Sequence, residues 1–168
     1  MSDPTKFVLD ANVFIQAARG YYAFDLAPAF WQALVDHASN GRLLSIDRVK
    51  DEIELGKDKL ADWVASAFGT WFASTNEADV LGAYAVAMRW AQAEVQYSEA
   101  AKAEFADTKN ADAWLIAYAQ AKGSVIVTLE QPDPNVRRKI PIPNVCESLG
   151  IPYLDSFAML RALGVRFG

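Results

Sequence analysis

Short apolar runs that break off at a carboxylate or a turn residue alternate along this chain with longer stretches of helical periodicity. Phe7-Val8-Leu9 ends abruptly at Asp10, which predicts a buried strand carrying a carboxylate at its C-terminal tip. Val13 to Ala18 reads as a short helix, and an aromatic loop, Gly20-Tyr21-Tyr22-Ala23-Phe24, follows it. Pro28 opens a helix that runs to about Ser39 and is closed by Gly41. Arg42 to Ile46 is a second strand, and Asp47 caps a helix that stops near Gly56. Lys57 to Phe68 is helical, Asn76 caps a long Ala-rich helix to about Val95, and Ser98 caps a shorter one. Ala111 to Lys122 is helical and ends at Gly123, and the β-branched run Ser124 to Thr128 is the clearest strand. After a loop containing Pro132, Pro134, Pro141 and Pro143, Asn144 caps a helix ending at Gly150. Pro152 to Leu154 is then a last strand, and Asp155 caps a helix to Gly164.

Strands alternating with helices imply crossover units and a parallel sheet covered on both faces, an α/β architecture. The stretch 57–106 shows no convincing strand and reads as a helical insertion inside one domain spanning residues 1–168, because no linker composition flanks it. The 168 residues are 52% hydrophobic and 22% charged, enough to bury a core. A formal charge of -5 argues against a protein that coats nucleic acid, which needs a positive field to displace phosphate counterions. It does not exclude an enzyme that cuts nucleic acid at a small site. One cysteine, Cys146, excludes an internal disulfide framework. With no signal core and no run of apolar residues long enough to cross a bilayer, the expectation is a soluble cytoplasmic protein.

In open α/β sheets, sites form beyond the carboxyl ends of the strands, and four acids fall there. Asp10 follows the first strand, and Glu130 lies just past Thr128. In the helix after the second strand, Val49 and Ile53 define the inward face. Glu52 projects about 80° from its centre, whereas Glu54 lies about 120° and Asp51 about 180° away. Asp112 shares a face with Leu115, Ile116 and Ala119. Each acid has an ordinary reading. Asp10 could serve a turn, Asp112 could complement a helix dipole, Glu52 belongs to a charged run, and Glu130 precedes a loop. Together they set one carboxylate near the top of successive units of one sheet. Two carboxylates ~5 Å apart repel by roughly 3 kcal/mol at an effective dielectric of 20, so protonation or divalent cations must relieve the cluster. An all-oxygen set selects Mg²⁺ or Mn²⁺ over zinc. His37, the one histidine, is read as a surface or packing residue.

Phe7-Val-Leu-Asp-Ala-Asn-Val-Phe-Ile15 resembles the opening of PIN-domain nucleases, where an apolar strand runs into Asp-x-Asn and another apolar run. Asp47-Arg-Val-Lys-Asp-Glu-Ile53, the helix from Asn110 to Ala119, and Val125-Ile-Val-Thr-Leu-Glu130 resemble the family's remaining acidic motifs, in its order. The likeness is to a bacterial, VapC-type toxin branch with a longer helical middle. It implies a three-layer sandwich with a central parallel sheet and a metal-dependent ribonuclease that hydrolyses RNA phosphodiesters in line. Asp10, Glu52, Asp112 and Glu130 would be the metal-binding acids, with Asn12 and Thr128 orienting ligand, water or phosphate. Glu130 departs from the family's usual Asp by one methylene, with Asp133 as a fallback.

Arg137, Arg138 and Lys139, together with Lys109, are candidate RNA contacts, with a solvated loop the competing reading. Tyr21, Tyr22 and Phe24 could stack bases, but core packing or a dimer interface is the stronger reading for such a cluster. A toxin without a secretion signal implies a cognate antitoxin that occludes the acidic pocket. The Trp-rich middle (Trp63, Trp71, Trp90) suggests a homodimer. The rivals are a catalytically silent PIN-like module that binds RNA or protein, and a HAD-type phosphohydrolase, whose second Asp is replaced here by Asn12.

Overall fold

The computed structural model describes residues 4–167. Five parallel strands form one sheet in the order β3-β2-β1-β4-β5. They are β1 (Phe7–Leu9), β2 (Leu43–Ile46), β3 (Phe72–Ala73), β4 (Val125–Val127) and β5 (Tyr153–Leu154). The register sets Phe7 beside Leu43 on one side and Leu9 beside Val127 on the other. Val8, Leu9, Ile126 and Val127 are wholly buried, as a parallel sheet covered on both faces requires. The Ser45 hydroxyl donates to the Leu9 carbonyl at 2.6 Å and locks β2 to the end of β1.

The helices are α1 (Ala11–Arg19), α2 (Pro28–Ser39), α3 (Asp47–Leu55), α4 (Lys59–Trp63), α5 (Ala78–Ala93), α6 (Glu99–Ala106), α7 (Ala111–Lys122), α8 (Ile142–Leu149) and α9 (Ser156–Ala162). The architecture is α/β, with the sheet as the middle layer of a three-layer sandwich. Successive strands step outward from β1 to β3, then return to the far side of β1 with β4 and β5. The order therefore reverses between β1 and β4, which opens a crevice at their C-terminal ends. No helix among the described residues is long and apolar enough to cross a membrane.

Four local expectations are corrected. The 57–106 stretch holds a strand after all, since β3 pairs with β2 through Ser45–Phe72 and Ile46–Ala73. Two residues are too few to show alternation, and the open edge of β2 creates this strand. Asp47 is the first helical residue of α3 rather than its cap, and its carboxylate accepts from Thr75 N at 3.0 Å and from the Thr75 hydroxyl at 2.9 Å. Asn76 yields the cap position of α5 to Glu77. Asn144 lies inside α8, whose cap position is Pro141. Its side chain binds the loop through the Asp133 carbonyl and amide and the Tyr97 hydroxyl instead.

The helical middle shares the core of the sheet. Trp63 and Phe68 join Phe14, Phe24 and Trp31 in one aromatic cluster, with Trp31–Trp63 centroids 4.7 Å apart and Phe14–Phe68 5.6 Å apart. Trp71 packs on Phe68, and the Trp90 indole donates to Ser148 at 2.7 Å. The tryptophans that suggested a homodimer are thus engaged within the chain. Tyr22 stacks on Phe30 and Phe24 on Trp31, so two of the three loop aromatics are half-buried against the core, while Tyr21 is 90% exposed. Arg48 lies 4.4 Å over the Trp114 ring and donates to the Thr108 carbonyl at 2.8 Å, pinning α3 to the entrance of α7.

Because Phe68 is fully buried in this cluster, Phe68→Ala should cost about 3–5 kcal/mol. Urea unfolding followed by both tryptophan fluorescence and far-UV circular dichroism should give one coincident, left-shifted transition. Separate transitions would show that the helical middle is an independent unit.

Candidate functional site

Asp10 occupies the cap position of α1, yet its side chain makes no cap hydrogen bond. It turns across the crevice instead, where its Oδ2 accepts from the Thr128 hydroxyl at 3.0 Å. At 3% exposure it is nearly sealed from water, so a role as a mere turn residue is set aside. Thr128 is buried as well, and its hydroxyl oxygen accepts from the Glu130 amide at 3.2 Å. The turn after β4 is thereby fastened to the carboxylate after β1.

Glu52 lies half-buried on α3, while Asp51 and Glu54 are exposed, as helical phase predicts. Its Oε1 accepts from Ala111 N at 3.1 Å, one of the unsatisfied amides at the start of α7. Asn110 caps the same helix by accepting from Asp112 N at 3.0 Å. Those two bonds fix the turn from which Asp112 projects. Among the described residues, no side-chain hydrogen bond ends on the Asp112 carboxylate.

The charges of these acids act on one another. Asp10 is pushed up to about 6, first by burial and then by the charge of Glu130, with Glu52 adding to it and the Thr128 hydrogen bond opposing. Asp112 is held well above the usual carboxylate range by burial, then by Asp10, Glu130 and Glu52, with Lys139 acting against them. Burial also raises Glu52, partly offset by the Ala111 amide. The charges of Glu130 and Glu52 thus act on both Asp10 and Asp112.

Glu130 stands apart in its bonding. Its Oε1 meets Lys139 Nζ at 2.5 Å and its Oε2 accepts from Ile142 N at 3.1 Å, at the start of α8. Burial alone would lower the Lys139 ammonium, but the Glu130 hydrogen bond and the charges of Glu130, Asp112 and Asp10 outweigh it and raise it. Lys139 was expected at the RNA-binding surface; the structure puts it against an acid of the site. The signal lay in the residues that follow, because buried Ile140 and Ile142 draw the loop inward and carry Lys139 with them.

Asn12 is exposed on the first turn of α1, and Arg137, Arg138 and Lys109 are exposed too. Asp133, the fallback acid, is exposed and bound within its own loop through the Asn135 amide. Cys146 is buried, and burial first, then the Glu130 charge, pushes its thiol up to about 12, which keeps it inert.

Asp10, Asp112 and Glu52 carry the oxygen donors that a divalent cation such as Mg²⁺ prefers, and burial and repulsion disfavour Asp10 and Asp112 as bare anions. Among the described residues, however, no three acidic, histidine or cysteine side chains stand close enough to enclose an ion.

Asp10 keeps a proton in the folded state that the unfolded chain loses near its ordinary value of 3.8. As pH rises from that value through about 6, the folded state forfeits stability. Asp10→Asn should therefore be more stable than the metal-free wild type at pH 7.5, by roughly 1–3 kcal/mol. The gain should shrink towards pH 4. Urea midpoints of both proteins across this range in EDTA check it, and an advantage independent of pH would contradict it.

A comparison with curated proteins finds no match for this chain. One family model, described as a domain of unknown function (DUF4411), matches residues 7–167 and so takes in every element from β1 to α9. The chain belongs to the DUF4411 family.

Proposed function

We infer that this protein is an Mg²⁺- or Mn²⁺-dependent endoribonuclease, the toxin of a toxin–antitoxin pair acting in the cytoplasm. The observation that carries the reading is the Asp10 carboxylate buried at the C-terminal end of β1 and held by the Thr128 hydroxyl after β4, with the charges of Glu130 and Glu52 acting on both it and Asp112. Such a pocket suits a group that brings positive charge. The likeness of the four motifs to PIN-domain nucleases supplies the reaction and the substrate.

Asp10, Asp112 and Glu52 would hold the cation. When bound, it supplies the acidity that makes water a nucleophile and the charge that offsets a phosphate. The chain's own groups do the rest. Thr128 fixes the Asp10 carboxylate in one rotamer, and the Ala111 amide does the same for Glu52. Asn12, exposed on the first turn of α1 just past Asp10, is placed to hydrogen-bond a phosphate oxygen or the attacking water. Arg137, Arg138 and Lys109 offer exposed cations to the flanking phosphates of a strand. No protein nucleophile is needed, which agrees with the inert Cys146. An antitoxin would act by covering the crevice and shielding the acids from substrate.

Purified protein should cleave single-stranded RNA only with Mg²⁺ or Mn²⁺, and Asp10→Asn and Asp112→Asn should each lower the rate by at least 100-fold while keeping the fold. Cleavage that survives both substitutions or persists in EDTA rejects the reading. Binding of RNA without cleavage would favour the silent module. Toxicity on expression should vanish in Asp112→Asn and on co-expression of a cognate antitoxin, with a complex recovered by gel filtration. Unrelieved toxicity and no complex would remove the antitoxin.

A further inference from the structure

A second groove is bounded by the end of α5, the turn that follows it, the loop 131–141 and α8. Its volume is about 560 Å³, within the range of ligand sites, and none of Asp10, Glu52, Asp112 or Glu130 lines it. Trp90 and Tyr97 give it an aromatic wall, with ring centroids 6.0 Å apart and planes tilted by 53°, and Pro132 and Pro134 add apolar surface. Glu94, at the C-terminal end of α5, and Glu147, on α8, bring two carboxylates. No lysine or arginine lines the groove, and neither glutamate forms an ion pair among the described residues.

The hydrogen bonds of the lining decide what fits, because most of its donors are spent within the chain. The Trp90 indole donates to Ser148, and the Asn144 amide donates to the Tyr97 hydroxyl at 3.0 Å and the Asp133 carbonyl at 2.8 Å. The Gln96 amide donates to the Val136 carbonyl at 2.8 Å, and the two prolines have no N–H to give. The acceptors are open. The Glu94 side chain makes no hydrogen bond among the described residues, while Glu147 accepts from the Tyr153 hydroxyl on one oxygen and keeps the other. A phosphate would meet two like charges and few donors, whereas a cation rich in N–H groups meets acceptors and aromatic faces. The walls are also held in place. Gln96 and the Ser98 amide tie the turn after α5 to the loop, and Asn144 ties the loop to α8, so little ordering remains to be done on binding.

We propose that this groove is a docking site for an arginine side chain carried by a partner protein, seated against Trp90 and Tyr97 with its guanidinium shared by Glu94 and Glu147. Charge complementarity calls for a cation, and the fit of a planar guanidinium to aromatic faces selects arginine over lysine. The groove is open to solvent, so it covers a side chain whose backbone continues outside better than a free small cation. Val95, next to Glu94 in the chain, is 93% exposed, and an apolar residue flanking the arginine would cover it. None of this depends on metal binding at Asp10 or on nuclease activity.

The probe is a fluorescently labelled, capped pentapeptide with a central arginine between two leucines, titrated by anisotropy at low salt in EDTA. The same peptide with citrulline, which keeps the shape and loses the charge, is the control. Wild type should bind the arginine peptide about 10-fold more tightly than the citrulline peptide. Glu94→Gln combined with Glu147→Gln should remove that preference, while Asp10→Asn combined with Asp112→Asn should keep it. The indole N–H resonance of Trp90, assigned through Trp90→Phe, should shift with the arginine peptide. Should the double glutamate variant fail to fold by circular dichroism, Glu94→Lys, which replaces a side chain without a hydrogen bond, is used and should likewise remove the preference. Equal binding of the two peptides, no binding of either, or a preference that survives loss of the glutamates overturns the proposal. So does binding lost in the aspartate variant instead, which would put the peptide at the crevice. Capped arginine amide bound as tightly as the peptide would show a small-cation site and overturn the protein partner.

Discussion

The constraint on which this structure turns is the burial of like charges at the junction of two adjacent parallel strands. Asp10 ends β1 and Thr128 follows β4, and the strands lie side by side because the strand order reverses there. A carboxylate sealed from water at the end of a central strand is costly unless something pairs it. Here the Thr128 hydroxyl and the Ala11 backbone oppose the cost, while the charges of Glu130 and Glu52 act on both Asp10 and Asp112. The fold tolerates this cost because the hydrophobic layers on either side of the sheet hold the crevice in shape regardless.

Two of the acids also serve as struts. Glu52 accepts the Ala111 amide at the start of α7, and Glu130 accepts the Ile142 amide at the start of α8. The N-terminus of a helix presents unsatisfied amides and a partial positive charge, so both placements stabilise the helices while holding the acids still. A structural and a functional reading of these residues are therefore not alternatives. Asp112 differs, since the Asn110 cap orders its backbone and leaves its carboxylate open. Arg48, clamped between the Trp114 ring and the Thr108 carbonyl, keeps α3 and α7 in step, and through them Glu52 and Asp112.

The aromatic cluster around Phe14, Trp31, Trp63 and Phe68 plays the corresponding role on the other side of the crevice. Phe14 belongs to α1, the helix that begins directly after Asp10, and the cluster ties that helix to the helical middle of the chain. The segment between α3 and α5 thus packs on α1 through Phe14 and supplies the edge strand β3.

Much of this was legible in the order of residues. Abrupt ends to apolar runs located β1 and β4, and helical phase separated Glu52 from Asp51 and Glu54, because both signals depend on local periodicity. The acids could be nominated for the same reason. Sequence could not show β3, which exists only because β2 has an open edge, nor the true partners of Asp47 and Asn144, which lie far off in the chain. Above all it could not distinguish Lys139 from Arg137 and Arg138, three adjacent cations of similar local character. Local composition determines which residues tend to be buried, helical or charged. Which charges meet is decided by the folding of a proline-rich loop onto the core, a matter of long-range packing that no short window of sequence contains.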